Sequence, residues 1–281
     1  MPAHPLWELL KPSSPIEIVD IGANPIDGNP PYMPLLKAEL AHVTGFEPQQ
    51  EALKELLAKK GPLERYLPYA IGDGKEHTLN ICLGPGMSSL LTPDKNMLSH
   101  FEYLLPLSQV VRRETLATKR LDEVEEIHRL DFLKIDIQGA ELMVFQHGTE
   151  RLAEAVAIQT EISFMPLYEQ QPTFGTIDVE LRRQGFIPHT FAAIKPWIVA
   201  PMVLNNEPRA GLNQLLEADV VYFRDFTKPG SLSDEQLKRI ALVSHLCYGS
   251  FDITMHCIVL LEARKALATG SHLEYLKLLQ A

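Results

Sequence analysis

Short β-branched runs alternate with helical stretches from about Ile16 to Phe191, and this restricts the possible folds more than anything else in the chain. IEIVDI (Ile16–Ile21) ends at Gly22 and has the look of a buried parallel strand. HVTGFE (His42–Glu47), RYLPYAI (Arg65–Ile71), DFLKIDI (Asp131–Ile137) and VAIQTEIS (Val156–Ser163) read as four more core strands. Helical stretches fall between them. The clearest is PQQEALKELLAKKGP, with Pro48 at its start, Leu53, Leu56 and Leu57 on one face, and Gly61-Pro62 as its stop. LDEVEEIHR (Leu121–Arg129), GAELMVFQHGTERLAEA with a break near Gly148, and TIDVELRRQG also read as helical. HTLNICL and QVVRRETLATK are strand-like, and FIPHTF (Phe186–Phe191) and ADVVYFR (Ala218–Arg224) are late strands.

Strands joined by helical crossovers imply a parallel, doubly wound sheet, and such sheets bind ligands beyond the carboxyl ends of their strands. The chain of 281 residues is long enough for one large α/β domain with an annex. Three segments are expected: a lead over residues 1–15, the α/β domain over 16–225, and a helical extension over 226–281. In the extension, Ser233 is the expected N-cap of SLSDEQLKRIALVSHLCYG, and DITMHCIVLLEARKALATG continues with helical spacing. Its apolar faces need cover, from the sheet or from a second subunit in a homo-oligomer.

A net charge of −10 argues against sequence-independent nucleic-acid binding, which needs a cationic footprint. No apolar run approaches a membrane span, and MPAHPLWELLKPSSP lacks the features of a signal peptide. The three cysteines, Cys82, Cys247 and Cys257, are scattered with no C-x-x-C, which fits a reduced, cytoplasmic protein. The ten histidines form no zinc-ligand spacing.

Chemistry is expected at the strand ends. After the first strand comes D-I-G-A-N, in which Gly22 lets backbone approach a ligand closely. The second strand ends in Glu47, about 25 residues beyond Gly22, well placed to accept both hydroxyls of a ribose. The third ends in G-D-G, where Asp73 is either an adenine or ribose contact or an ordinary turn residue.

LKIDIQGAEL (Leu133–Leu142), together with VDIGAN, GFEP and TLATKRLDEV, resembles the FkbM family of S-adenosylmethionine-dependent methyltransferases over roughly residues 16–190. Four motifs match in order and spacing. The resemblance implies a class I methyltransferase fold, a seven-stranded, Rossmann-like α/β sheet that is mostly parallel with an antiparallel last strand, and S-adenosyl-L-methionine as cofactor. It places Asp20, Gly22 and Asn24 at the amino acid part of the cofactor, Glu47 at its ribose, Asp73 near its adenine, and Asp136 by the reacting centre. Two positions depart from the family pattern. Pro25, Ile26 and Asp27 separate Asn24 from Gly28, and Gln138 stands where a glutamate is usual. Glutamine hydrogen-bonds but cannot act as a base.

N-P-P-Y (Asn29–Tyr32) looks like the motif of amino-group methyltransferases, but that motif belongs after the fourth strand, where KIDIQG stands. It reads instead as the start of a helix, with Tyr32 as a candidate pocket residue. Candidate bases are Asp136, Glu161 at the fifth strand end, and His147, the last more simply a helix-end residue. Asp136 and Glu161 together also suit a divalent cation. The candidate acceptor-binding residues are Tyr32, Gln138, Tyr168 in the loop FMPLYEQQPTFG, and Trp197 and Arg209 in a lid formed with Lys195 over Phe191–Gln214. Core packing explains Trp197 equally well.

The acceptor expected from the resemblance is a hydroxyl on a sugar, glycan precursor or secondary metabolite. A nucleotide-cofactor oxidoreductase would need a G-x-G-x-x-G turn, which is absent after the first strand. A non-catalytic module that only binds the cofactor is the other alternative, with Gln138 as its one hint.

Overall fold

The computed structural model describes residues 4–24, 28–207 and 211–280. Its strands are β1 (Ile16–Ile21), β2 (Ala41–Phe46), β3 (Glu64–Leu67), β4 (Ala70–Ile71), β5 (Glu76–Cys82), β6 (Val110–Lys119), β7 (Phe132–Ile135), β8 (Ala157–Ser163), β9 (Phe186–Trp197) and β10 (Gln214–Arg224). Seven of them form one sheet in the order β3-β2-β1-β7-β8-β10-β9. β3, β2, β1, β7 and β8 pair in parallel, and β10 runs antiparallel between β8 and β9. This is the class I methyltransferase sheet that the motifs imply. β4, β6 and β5 form a second, small sheet.

RYLPYAI is not one strand. The ladder of β3 on β2 ends at Phe46 opposite Leu67, because Pro68 has no N–H with which to continue. The chain resumes at β4 and pairs with β6, so the G-D-G turn leaves the main sheet. LDEVEEIHR is not a helix either. Only Leu121–Glu123 make a 3₁₀ turn, and Leu121, Val124 and Ile127 are buried. Their spacing of three suits that tighter coil.

Period-two alternation assigns each face of the sheet its cover. Val19, Ile21, Leu133, Ile135, Ile158 and Ile162 pack under the helices Glu141–His147, Thr149–Glu154 and Phe174–Arg183. On the other face Ile16, Ile18, Phe132, Ala157, Val221 and Phe223 pack under the three C-terminal helices, Asp234–Tyr248, Phe251–Ala263 and Ser271–Leu278. The annex therefore covers this chain's own sheet. The lead contributes a helix, Pro5–Leu10, whose Leu6 and Leu10 join the same core.

Ser233 caps the first of the C-terminal helices in a full capping box with Gln236. Glu235 in its first turn ties the helix to the lead. Its Oε2 accepts from the Ser13 N–H (2.9 Å) and hydroxyl (2.8 Å), and Lys238 Nζ lies 2.8 Å from Oε1. Burial pushes its proton affinity up, but these bonds outweigh it and hold the carboxyl at about 2, against an ordinary 4.5. A depressed carboxyl stabilises the fold above the ordinary value, and that contribution fades as pH falls towards 2. Glu235→Gln is therefore expected to lower stability by about 1–2 kcal/mol at pH 7, allowing for solvent screening. Paired thermal melts should show this gap narrowing as pH falls from 5 towards 3.

Candidate active site

The face under the C-terminal helices changes character along the strands. Ile16 and Ile18 of β1 are followed on that face by Asp20, Phe132 of β7 by Lys134, and Ala157 of β8 by Gln159 and Glu161. On antiparallel β10, Glu217 and Asp219 precede Val221 and Phe223, with Asp219 opposite Glu161 and Glu217 opposite Lys195 of β9. The apolar half is roofed by helices. The polar half lines a cavity of about 830 Å³ at the carboxyl ends of the parallel strands, the place such sheets reserve for ligands.

Gly22 makes the turn after β1 possible. Its φ is +77°, and a Cβ there would run into the backbone carbonyl of Asp136. Lys134 ties the turn from below, its Nζ donating to the Gly22 carbonyl at 3.2 Å and lying 3.4 Å from Asp20 Oδ1. Burial lowers the lysine's proton affinity, but Asp20, Asp136 and Glu161 together raise it further, so it is a fixed internal cation. Tyr32 is buried and donates its hydroxyl to Asp20 Oδ2 at 2.5 Å. N-P-P-Y thus serves to start the Met33–Lys37 helix and to aim Asp20. Asp20 Oδ1 is buried, held by the Lys134 ion pair but by no close hydrogen bond, which leaves it an acceptor for a donor on a bound ligand.

Glu47 lines the same cavity from the end of β2, almost fully buried, with Oε1 accepting from the Gln49 N–H at 2.8 Å. Burial raises its proton affinity. Asn24 and Gly28 also line the cavity.

Asp73 does not reach it. Its carboxylate accepts from the Lys75 N–H (3.0 Å), lies 2.7 Å from His77 Nε2, and has Lys75 Nζ at 3.3 Å. The break at Pro68 carried it onto the small sheet, where it stabilises a turn, and the adenine contact is not supported.

The reacting end is a hydrogen-bonded cluster. Gln138 Nε2 donates to Asp136 Oδ1 (2.9 Å) and Glu161 Oε2 (2.8 Å), and Lys195 Nζ lies 2.7 Å from Glu161 Oε1. Burial, with Asp136 and Glu217 adding to it, pushes Glu161 well above the carboxylate range against the pull of Lys195. Burial likewise pushes Glu217 up to about 7. An N–H donor already stands between Asp136 and Glu161, where a bridging cation would need to sit. Among the described residues no group of three or more His, Cys, Asp or Glu is arranged to hold a metal ion.

The acceptor candidates separate. Trp197 lines the cavity and stacks on Tyr103 with ring centroids 6.0 Å apart. Tyr168 is buried behind the wall, its hydroxyl 3.1 Å from both Met87 O and Gln138 Oε1. Gln138 reaches the cavity, but its amide is committed to the carboxylates. Arg209 lies outside the described residues. The expected lid over Phe191–Gln214 is partly strand, because β9 continues to Trp197 and delivers Lys195 into the site. His147 is a helix-end residue with Nδ1 2.9 Å from Met143 O. Sequence reasoning missed Lys134, Gln159, Glu217 and Asp219. The available signal was charged or amide residues at alternate positions in otherwise apolar strands.

The sheet and the carboxylate row at its strand ends define a class I methyltransferase. The chain belongs to the FkbM methyltransferase family, since the model of the Methyltransferase FkbM domain matches residues 20–188. It is 29% identical over 186 residues to the 2-O-methyltransferase NoeI of Sinorhizobium fredii, covering 58% of this chain and 69% of that protein. Among solved structures it is similar to a magnesium protoporphyrin IX methyltransferase from Synechocystis PCC 6803 with bound SAM (10% identity, 75% of this chain and 71% of that one, TM-score 0.40). It is also similar to a precorrin-6y C5,15-methyltransferase from Geobacter metallireducens (10% identity, 78% and 85% covered, TM-score 0.36).

The residues present fit S-adenosyl-L-methionine. Asp20 Oδ1 has no close hydrogen bond, Glu47 presents its carboxyl to the cavity from the end of β2, and Asp136 lines the same cavity from the end of β7. Glu47→Ala is expected to weaken S-adenosylhomocysteine binding about 10²-fold, from the loss of charge-assisted bonds of roughly 1.5–3 kcal/mol each. Since burial disfavours its charge, the melting temperature should hardly fall. Gly22→Ala should instead lose both binding and on the order of 3 kcal/mol of stability. Calorimetry and thermal melts on the two variants separate these outcomes.

Proposed function

We propose that the protein transfers a methyl group from S-adenosyl-L-methionine to a hydroxyl of a sugar, glycan precursor or related small molecule. The observation that carries this reading is the pair Asp136 and Glu161, joined through one amide at the carboxyl ends of adjacent strands and facing the cavity. Bound there, S-adenosyl-L-methionine supplies an electrophilic methyl, so the chain has to align the acceptor and take up a proton. A hydroxyl is the acceptor class that most needs a base. The similarity to a 2-O-methyltransferase supports the same class, and the Trp197–Tyr103 pair offers an aromatic wall for a sugar face.

Asp136 is the base in this reading. Both Glu161 oxygens already take hydrogen bonds, from Lys195 and Gln138, which suits Glu161 to fixing charge and orienting the acceptor. Asp136 follows β7 directly, and its N–H is anchored on Ile21 O at 3.0 Å, so the carboxylate is held beside the Gly22 turn.

S-adenosylhomocysteine carried through purification and identified by mass spectrometry would be the first direct support. Labelled methyl transfer onto a panel of sugars and glycans then tests the acceptor class, with linkage of the product read by NMR. On an accepted substrate Asp136→Asn should fold like the parent and lose on the order of 10²-fold or more in rate. Equal turnover would reject Asp136 as the base. Methylation of amines or thiols alone would reject the hydroxyl acceptor.

A further inference from the structure

Gln138 is clamped from every side. Its amide nitrogen donates to Asp136 and Glu161, and its amide oxygen lies 3.1 Å from the Tyr168 hydroxyl. Glutamine has two amide protons, and both are used within the protein. Its backbone sits in the left-handed region at φ +57°. A residue other than glycine holds that conformation only where its contacts over-determine it. Those contacts are present: the Ser89 hydroxyl donates to the Gln138 carbonyl at 2.6 Å, and the N–H groups of Ile137 and Gly139 donate to buried Glu141 at 2.9 and 3.2 Å.

We propose that Gln138 is a positioning residue for methyl transfer: its single amide donates one N–H to each of Asp136 and Glu161, fixing their separation and offsetting their repulsion. The inference rests on the methyltransferase reading of this site. Other charged groups also act on this pair. Lys134 and Lys195 are the nearby cations, and Glu217, Asp219 and Glu141 add negative charge from β10 and from the helix after β7. Removing the amide donors, or replacing them with a third carboxylate, should make one of the paired carboxylates harder to ionise.

The test compares the parent, Gln138→Leu and Gln138→Glu by calorimetry between pH 5.5 and 9, with S-adenosylmethionine and S-adenosylhomocysteine as probes. The two ligands differ by one methyl and its positive charge, so the ratio of their affinities reads the ionisation of nearby carboxylates. The ratio should rise with pH in every protein. Its midpoint should move up by about 1 pH unit or more in Gln138→Glu, and by less in Gln138→Leu. Should both variants fail to fold, Gln138→Met, close in shape but without amide donors, serves instead, and its midpoint should move up as in Gln138→Leu. Gln138→Glu adds charge whatever the native role, so Gln138→Leu decides: a residue with only a packing role would leave its midpoint in place, and an unchanged midpoint in Gln138→Leu overturns the inference while leaving the methyltransferase reading intact. Failure of the folded parent to bind either ligand overturns both.

Discussion

The close passage of the turn after β1 over the end of β7 is the constraint on which the site depends. It needs a residue with no side chain and a positive φ, and Gly22 supplies both. Once the two strand ends meet there, Asp20, Lys134 and Asp136 lie within one small volume. Lys134 then bonds the turn and offsets the charge of Asp20. A longer turn would leave this lysine buried without its anion, at a cost of several kcal/mol.

Around that junction one sheet face serves two purposes. Its lower half is apolar and roofed by the lead and the C-terminal helices. Its upper half carries charge into a partly closed cavity. Burial there disfavours the ionised forms of Glu47, Glu161 and Glu217, which hold their protons more tightly than in water. Lys134 and Lys195 respond the other way, because the surrounding carboxylates outweigh burial.

The helical extension also reaches the chemistry from below. The Tyr248 hydroxyl donates to Gln159 Oε1 at 2.9 Å, so the roof over the apolar half also holds a polar residue of the cavity wall. The extension was legible in the sequence as helices with a cap at Ser233, but this contact was not, because Tyr248 and Gln159 are 89 residues apart.

The sequence by itself determined most of the core strands and the three tight motifs. A β-branched run, a glycine that must turn and an acid at a strand end are local facts, which is why VDIGAN, GFEP and KIDIQG could be expected to meet at the strand ends, where the structure has them line one cavity. Local reasoning failed where a partner strand decided the outcome. Pro68 divided RYLPYAI between two sheets, and Asp73 became a turn residue. Period-two alternation placed Glu217 and Asp219 on a face but could not say that this face is open there. Gln138 looked like a substrate contact until its neighbours were known. Whether a polar side chain is free for a ligand or already committed depends on groups far away in sequence. Here the tertiary structure alone brings β7, β8 and β9 close enough for one amide and one ammonium to hold two carboxylates in place.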